Sequence, residues 1–179
     1  MILVMAIGMM MTGCSSYKGG TVKDGVYSNG VFKVTTPEGF VCYTGDDVAK
    51  TDHYIVAYNK AQKRGADKSF KCEYAADGGT AEILVASEEN VSDATLDGFA
   101  DIVCTQFAGD ILGYTVEKNE NVTIDGVRFR ELSFTLSTGG HIRYYITQSG
   151  NRFVYVYTVT LDGDFTGASD KADHCISAA

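Results

Sequence analysis

The sequence predicts an α+β protein with an antiparallel β-sheet of about six strands, ending in a four-strand meander, and helices packed on the sheet. Three observations carry this. Runs of alternating apolar and polar residues recur between Val31 and Leu161, the period of a half-buried strand. The last four runs are joined only by Asp125-Gly126, Thr138-Gly139-Gly140 and Ser149-Gly150-Asn151, links so short that the strands must be antiparallel neighbours. One stretch of helical periodicity, opening at Ser92, interrupts the strands.

The 179 residues suffice for one domain with a real core. A net charge of −8 speaks against binding nucleic acid, whose phosphates demand a positive surface. Three scattered histidines are poor material for catalysis or metal binding, and no cofactor is expected.

The N-terminal run MILVMAIGMMM carries no charge and is too short to span a bilayer. It has the form of a signal-peptide apolar region, and Met11-Thr12-Gly13-Cys14 resembles a bacterial lipobox. Residues 1–13 thus read as a lipoprotein signal peptide. Cys14 reads as the first mature residue, acylated and holding the protein on a lipid bilayer. No Lys or Arg precedes Lys18, although a signal should open on positive charge, which points to a true start upstream. Residues 14–24 read as the lipidated Cys and a flexible tether, and 25–179 as a single domain.

Val31–Thr36 alternates and stops at Pro37-Glu38-Gly39, a turn. Phe40–Tyr43 is a second short strand. Asp46–Lys71 stays open: Tyr54–Tyr58, YIVAY, favours a strand, while its flanks tolerate a helix. Asp77-Gly78-Gly79 turns the chain into the strand Thr80–Ser87. Ser92 or Asp93 caps a helix on which Leu96, Phe99, Ala100, Val103 and Phe107 share one face, and Gly109 and Gly113 end it. The meander follows as Tyr114–Ile124, Val127–Leu136, Ile142–Gln148 and Arg152–Leu161. The second of these changes phase near Arg130-Glu131, where a bulge would restore a common face. The last is apolar on both sides and predicts cover on both faces. A short helix, Ala168–Ala178, closes the chain.

The stretches GVYSNGVFKVTTPEGF at Gly25–Phe40, AEILVASEENVSDATLDGFADIV at Ala81–Val103, VTIDGVRFRELSFTL at Val122–Leu136 and GNRFVYVYTVTL at Gly150–Leu161 resemble the PsbP/DcrB-like superfamily. The resemblance implies an α/β/α sandwich around an antiparallel sheet. Its members include extracytoplasmic lipoproteins, a photosystem II extrinsic subunit and a nuclear relative that binds a small GTPase. It implies a binding or accessory role and transfers no catalytic motif.

With Cys14 set aside, Cys42, Cys72, Cys104 and Cys175 remain. Outside the cytoplasm an even count implies disulfides, with three possible pairings. Matching positions on the two predicted helices pair Cys104 with Cys175, leaving Cys42 with Cys72. Four buried free thiols are the alternative. The sequence lacks paired metal-ligand spacings and GxSxG, and Asp173-His174-Cys175 is only a local cluster. Glu88-Glu89, Asp46-Asp47 and Asp162-Gly163-Asp164 read as solvated acidic loops rather than calcium ligands.

Lys60, Lys63, Arg64, Lys68 and Lys71 fall within twelve residues, opposed only by Asp67. On an anchored protein they form a possible contact patch for anionic lipid or an acidic partner; a solvated loop is the plainer reading. The sequence therefore reads as a membrane-anchored extracytoplasmic lipoprotein, not an enzyme, acting as a binding or accessory module for an unidentified protein partner. The alternative is an extracytoplasmic enzyme or enzyme inhibitor with a Tyr-lined groove.

Overall fold

The computed structural model describes residues 17–110, 113–137, 139–160, 171 and 174–179. In chain order these form β1 (Thr21–Lys23), β2 (Val26–Ser28), β3 (Phe32–Thr35), β4 (Val41–Thr44), a 3-10 turn (Gly45–Lys50), α1 (Asp52–Lys63), β5 (Lys71–Asp77), β6 (Ala81–Glu89), α2 (Leu96–Ala108), β7 (Tyr114–Ile124), β8 (Val127–Leu136), β9 (His141–Ser149), β10 (Arg152–Thr160) and β11 (Ile176–Ala178). The large sheet has seven strands in the order β4-β5-β6-β10-β9-β8-β7, and the small sheet has four in the order β1-β2-β3-β11. The paired strands are antiparallel, and the predicted meander is present as β7 to β10.

The helical sandwich expected from the sequence is corrected. Helix α2 and the 3-10 turn cover one face of the large sheet, where Val48, Phe99, Val103 and Phe107 meet Leu84, Phe134, Tyr144 and Tyr155. The small sheet covers the other face, with Tyr27, Phe32, Val34 and Ile176 against Ile83, Val85, Phe129 and Val156. Strand β10 shows why two covers are needed: Phe153, Tyr155, Tyr157 and Val159 face the helices, while Val154 and Val156 face the small sheet. The same double cover removes the predicted bulge at Arg130-Glu131. Strand β8 pairs regularly with β9; Phe129 serves the small-sheet layer, and Leu132 and Phe134 the helical layer. Each apolar residue finds a core on its own side, so no phase repair is required.

Three boundaries also move. Residues 52–63 are helical, so YIVAY lies on α1, where Tyr54 and Tyr58 stack and both meet Phe70 edge-on. The cap of α2 is Thr95, whose Oγ1 accepts the Gly98 N–H at 3.1 Å; Asp93 has a left-handed φ of 49° and lies outside the helix. The expected C-terminal helix is corrected at its end: Ile176–Ala178 is a strand beside β3, tied by Thr35 N–H to the Cys175 carbonyl at 2.8 Å. An isolated short helix with a narrow apolar stripe is marginal, and the small sheet offers Ile176 a buried site.

Of the stretch expected to be a tether, the described part from Tyr17 onward is held: Tyr17 and Gly20 by Glu73, and Thr21–Lys23 as a strand beside β2. The bulge in β5 between Cys72 and Tyr74 presents Glu73 to the incoming chain. Its Oε2 accepts from Tyr17 Oη at 3.1 Å, Tyr27 Oη at 2.8 Å and the Gly20 N–H at 2.5 Å. Its Oε1 accepts from Ser87 Oγ at 3.2 Å. Burial raises the Tyr17 hydroxyl to about 12, so it remains a donor. A Cβ at Gly20 would collide with the Tyr27 ring, and Tyr27 is fully buried. Gly20→Ala is therefore expected to destabilise the protein by about 1–3 kcal/mol, as overpacking does. Urea unfolding checks this, and an unchanged midpoint would mean the clamp has slack.

Candidate functional site

Helix α1 carries His53, Val56, Lys60 and Lys63 along one stripe, the i, i+3, i+7 spacing that aligns side chains on a helix. Beneath the stripe is a cleft of about 350 Å³. Its floor is apolar: Tyr114, Leu136, Ile142, Tyr157 and Val159, from the ends of β7, β8, β9 and β10 that lie together at one end of the sheet. Its rim is polar, with His53, Asn59, Lys60, Lys63 and Asp110. A largely apolar concavity of this size with a few polar groups at its edge is the ordinary form of a small-molecule site.

Two of the rim charges, Lys60 and Asp110, hold each other. Lys60 Nζ meets Asp110 Oδ2 at 2.8 Å and stands 3.9 Å from the centre of the Phe107 ring, so the ammonium is paired and rests on an aromatic face. At the other end of the stripe, the His53 N–H donates to Glu82 Oε2 at 3.2 Å, and the imidazole Nε2 lies 3.8 Å from the same oxygen. Burial pushes the Glu82 carboxyl up to about 7; the His53 amide opposes this, while Asp77 and Asp52 add to it. Burial also lowers the His53 imidazole. Asp52, His53, Asp77 and Glu82 share a small recess of about 50 Å³ behind the cleft. Among the described residues no three His, Cys, Asp or Glu side chains converge to hold a metal.

A second, smaller cavity of about 130 Å³ lies between the C-terminal end of α1 and α2, where Arg64, Glu88 and Gln106 meet Phe99, Ile102 and Phe153. Arg64 grips Glu88 through Nε to Oε1 and Nη2 to Oε2, each at 2.7 Å, and donates through Nη1 to Gln106 Oε1 at 2.5 Å. Its guanidinium lies over Phe99.

These pairings correct the predicted basic patch. Of its five residues, Lys60 and Arg64 point inward to Asp110 and Glu88, while Lys63, Lys68 and Lys71 are exposed. The partners lie far off in sequence, so local charge counting did not reveal the ion pairs. Neither the His53–Glu82 pair nor the cleft was found from sequence. The stripe on α1 was its one signal, and it required settling the helix first.

The expected disulfides are corrected as well. Cys72 and Cys104 pack in the helical layer, and Cys42 and Cys175 in the small-sheet layer, so the large sheet separates both expected pairs. Register places Cys42 opposite Ala76, four residues along β5 from Cys72, roughly 13 Å at strand rise. A bridge needs Cα atoms within about 7 Å. None of the four is in a disulfide, and burial pushes Cys72 and Cys175 up to about 12, which leaves them poor nucleophiles. Cys14 and Asp162-Gly163-Asp164 lie outside the described residues, and among those described no helix is long and apolar enough to cross a membrane.

Solved structures are similar to this chain. The solution structure of cyanobacterial PsbP (CyanoP) from Synechocystis sp. PCC 6803 matches with a TM-score of 0.54 at 14% identity, over 93% of this chain and 100% of that one. LpqN, described as involved in cell envelope biogenesis of Mycobacterium tuberculosis, matches with a TM-score of 0.48 at 9% identity over 82% of each chain. No protein-family model and no curated protein matches the chain. The PsbP match establishes the fold that the sequence resembles: this chain is PsbP-like in architecture.

Proposed function

We propose that the protein is a membrane-anchored extracytoplasmic lipoprotein, held by acylated Cys14, that acts as a non-catalytic binding or accessory module. The observation that carries the binding role is the cleft under α1. Its apolar floor offers burial to a ligand of modest size, and the Lys60–Asp110 charges at its rim are satisfied before any ligand arrives. A charge already compensated costs little to cover, which suits binding. Anchorage rests on the Met11–Cys14 sequence and on its position three residues before the docked Tyr17. A second reading, an enzyme with a Tyr-lined groove, draws on Tyr114 and Tyr157 in the floor and on the near-neutral Glu82 beside His53, since perturbed carboxyls gather at catalytic sites.

Two measurements test the proposal. A fatty-acid analogue should label the protein in a bacterial host when a complete signal is present; equal labelling of Cys14→Ser would sink the anchor. The fluorescent amphiphile 1-anilinonaphthalene-8-sulfonate should bind the folded protein saturably. Val56→Trp, which fills the cleft from α1, should weaken it by roughly tenfold or more, the loss of about 1.4 kcal/mol of apolar contact. Undiminished binding to a folded Val56→Trp variant would move the ligand site elsewhere.

A further inference from the structure

The domain has two chemically different ends, and the entering chain fixes which of them meets the membrane. Antiparallel registry places Lys71 opposite Ser87 and Arg152 opposite Glu89 and Ser149, so these residues mark one end of the large sheet. The opposite end holds Asp77, Ala81, His141 and Thr160, with the cleft beside it. Along β10, Arg152 and Val159 stand roughly 20–25 Å apart at strand rise.

Tyr17 is clamped at the Arg152 end. Its hydroxyl reaches Glu73 and Tyr27, and Arg152 lies over its ring. The same arginine donates to the Ser69 carbonyl at 2.6 Å and to Ser87 Oγ at 3.1 Å, which draws the 66–70 loop to this corner. Three exposed lysines, Lys18, Lys68 and Lys71, surround it. Two of the nearby acids are engaged: Glu73 by the clamp, and Glu89 by Arg152 at 3.6 Å. Asp67 is half-buried. Beside the same corner Val91 is 56% exposed, in the loop that Asn90 ties to the Asn151 carbonyl at 2.9 Å. On a chain of net charge −8, a lysine-rimmed end with an exposed valine is set apart.

We infer that this end, through Lys18, Lys68, Lys71 and Val91, rests on the anionic surface of the bilayer, with the Tyr17–Glu73 clamp fixing the orientation so that the cleft opens away from the membrane. The inference rests on the proposed acylation of Cys14. Three residue steps separate Cys14 from Tyr17, at most about 11 Å of extended chain, so an anchored Cys14 holds this corner within reach of the headgroups. Phosphate groups there attract the lysines, and Val91 gains by leaving water. The Ile142–Val159 end of the cleft then stands roughly 20 Å from the headgroups, and the cleft draws its ligand from the aqueous phase or a partner, not from the bilayer that carries the protein.

Lysine footprinting tests it. The acylated protein is added to preformed vesicles of phosphatidylcholine with 30% phosphatidylglycerol, or of phosphatidylcholine alone, and pulsed with a water-soluble amine acetylating reagent. Peptide mass spectrometry then reads each lysine. In the anionic vesicles Lys18, Lys68 and Lys71 should react roughly fivefold more slowly than on phosphatidylcholine. The difference should vanish in 1 M salt. Lys50, 72% exposed beside the N-terminus of α1, should react alike in both. Fatty-acid labelling of the same preparation reports Cys14 separately. A labelled protein whose three lysines react alike in both vesicles, or whose Lys50 is protected instead, overturns the orientation while the anchor stands. A protein unlabelled at Cys14 overturns both.

Discussion

Glu88→Ala should cost about 3–5 kcal/mol of unfolding free energy, the loss that follows when one partner of a buried ion pair is removed. Glu88 is 1% exposed and Arg64 8% at their side chains. The guanidinium is gripped in a two-pronged geometry that a single amine cannot reproduce. Without the carboxylate it would keep Gln106 and the Phe99 face, neither of which neutralises it. The pair itself adds little, because desolvation of both charges offsets most of their attraction. Arg64→Met combined with Glu88→Leu should therefore recover most of the loss and be more stable than either Arg64→Met or Glu88→Ala alone. Urea unfolding of the variants checks this. If the losses of Arg64→Met and Glu88→Leu, each made singly, simply add in the double variant, the two charges act independently and the buried-pair account is wrong.

Why Arg64 was legible only as one cation in a basic run bears on what a sequence exposes. The meander was readable because its determinants are local: Asp125-Gly126 supplies two left-handed residues, with φ of 48° and 85°, as a tight hairpin requires. The same signal stands at Asp24-Gly25, with φ of 51° and 75°, and marks the β1–β2 hairpin, whose first strand lies in the stretch expected to be tether. There the flanking strands have only three residues each, too few for alternation to show. Segments whose identity depends on a remote partner were the ones misread. Ala172, Cys175 and Ile176 share a helical spacing, yet Ile176 is held as a strand by Val34, more than a hundred residues away. The disulfide assignment inherited that error. In the open segment Asp46–Lys71 the β-branched pair Ile55-Val56 favoured a strand, but helical burial of Ala57, Lys60 and Ala61 prevailed. The cleft lay beyond reach because it is a gap between α1 and strands joined only in three dimensions.

Glu82 makes the folded protein less stable as pH rises from about 5 to 8. Its carboxyl is 9% exposed at the side chain, and burial, with Asp77 and Asp52 nearby, holds it at about 7 in the folded state, against about 4.3 for a free glutamate. Between these values the folded protein keeps a proton that the unfolded chain has released. Folding then binds protons, and stability falls with increasing pH. Below pH 4 both states are protonated and no penalty exists; above pH 8 both are ionised and it is complete, about 3–4 kcal/mol at 1.36 kcal/mol per unit. His53 works in the opposite sense, because its folded imidazole is lowered by burial and its contribution is lost as pH falls. Comparison with Glu82→Gln, which retains His53 and an oxygen to accept its N–H, isolates the carboxyl. The glutamine variant should match the wild type near pH 4, lead it by about 3–4 kcal/mol at pH 8, and gain most of that lead between pH 5 and 7. Urea unfolding across this range measures it. A stability difference that stays level from pH 4 to 8 would mean that Glu82 ionises as readily in the fold as in water, and the His53 end of the cleft would then carry a permanent negative charge.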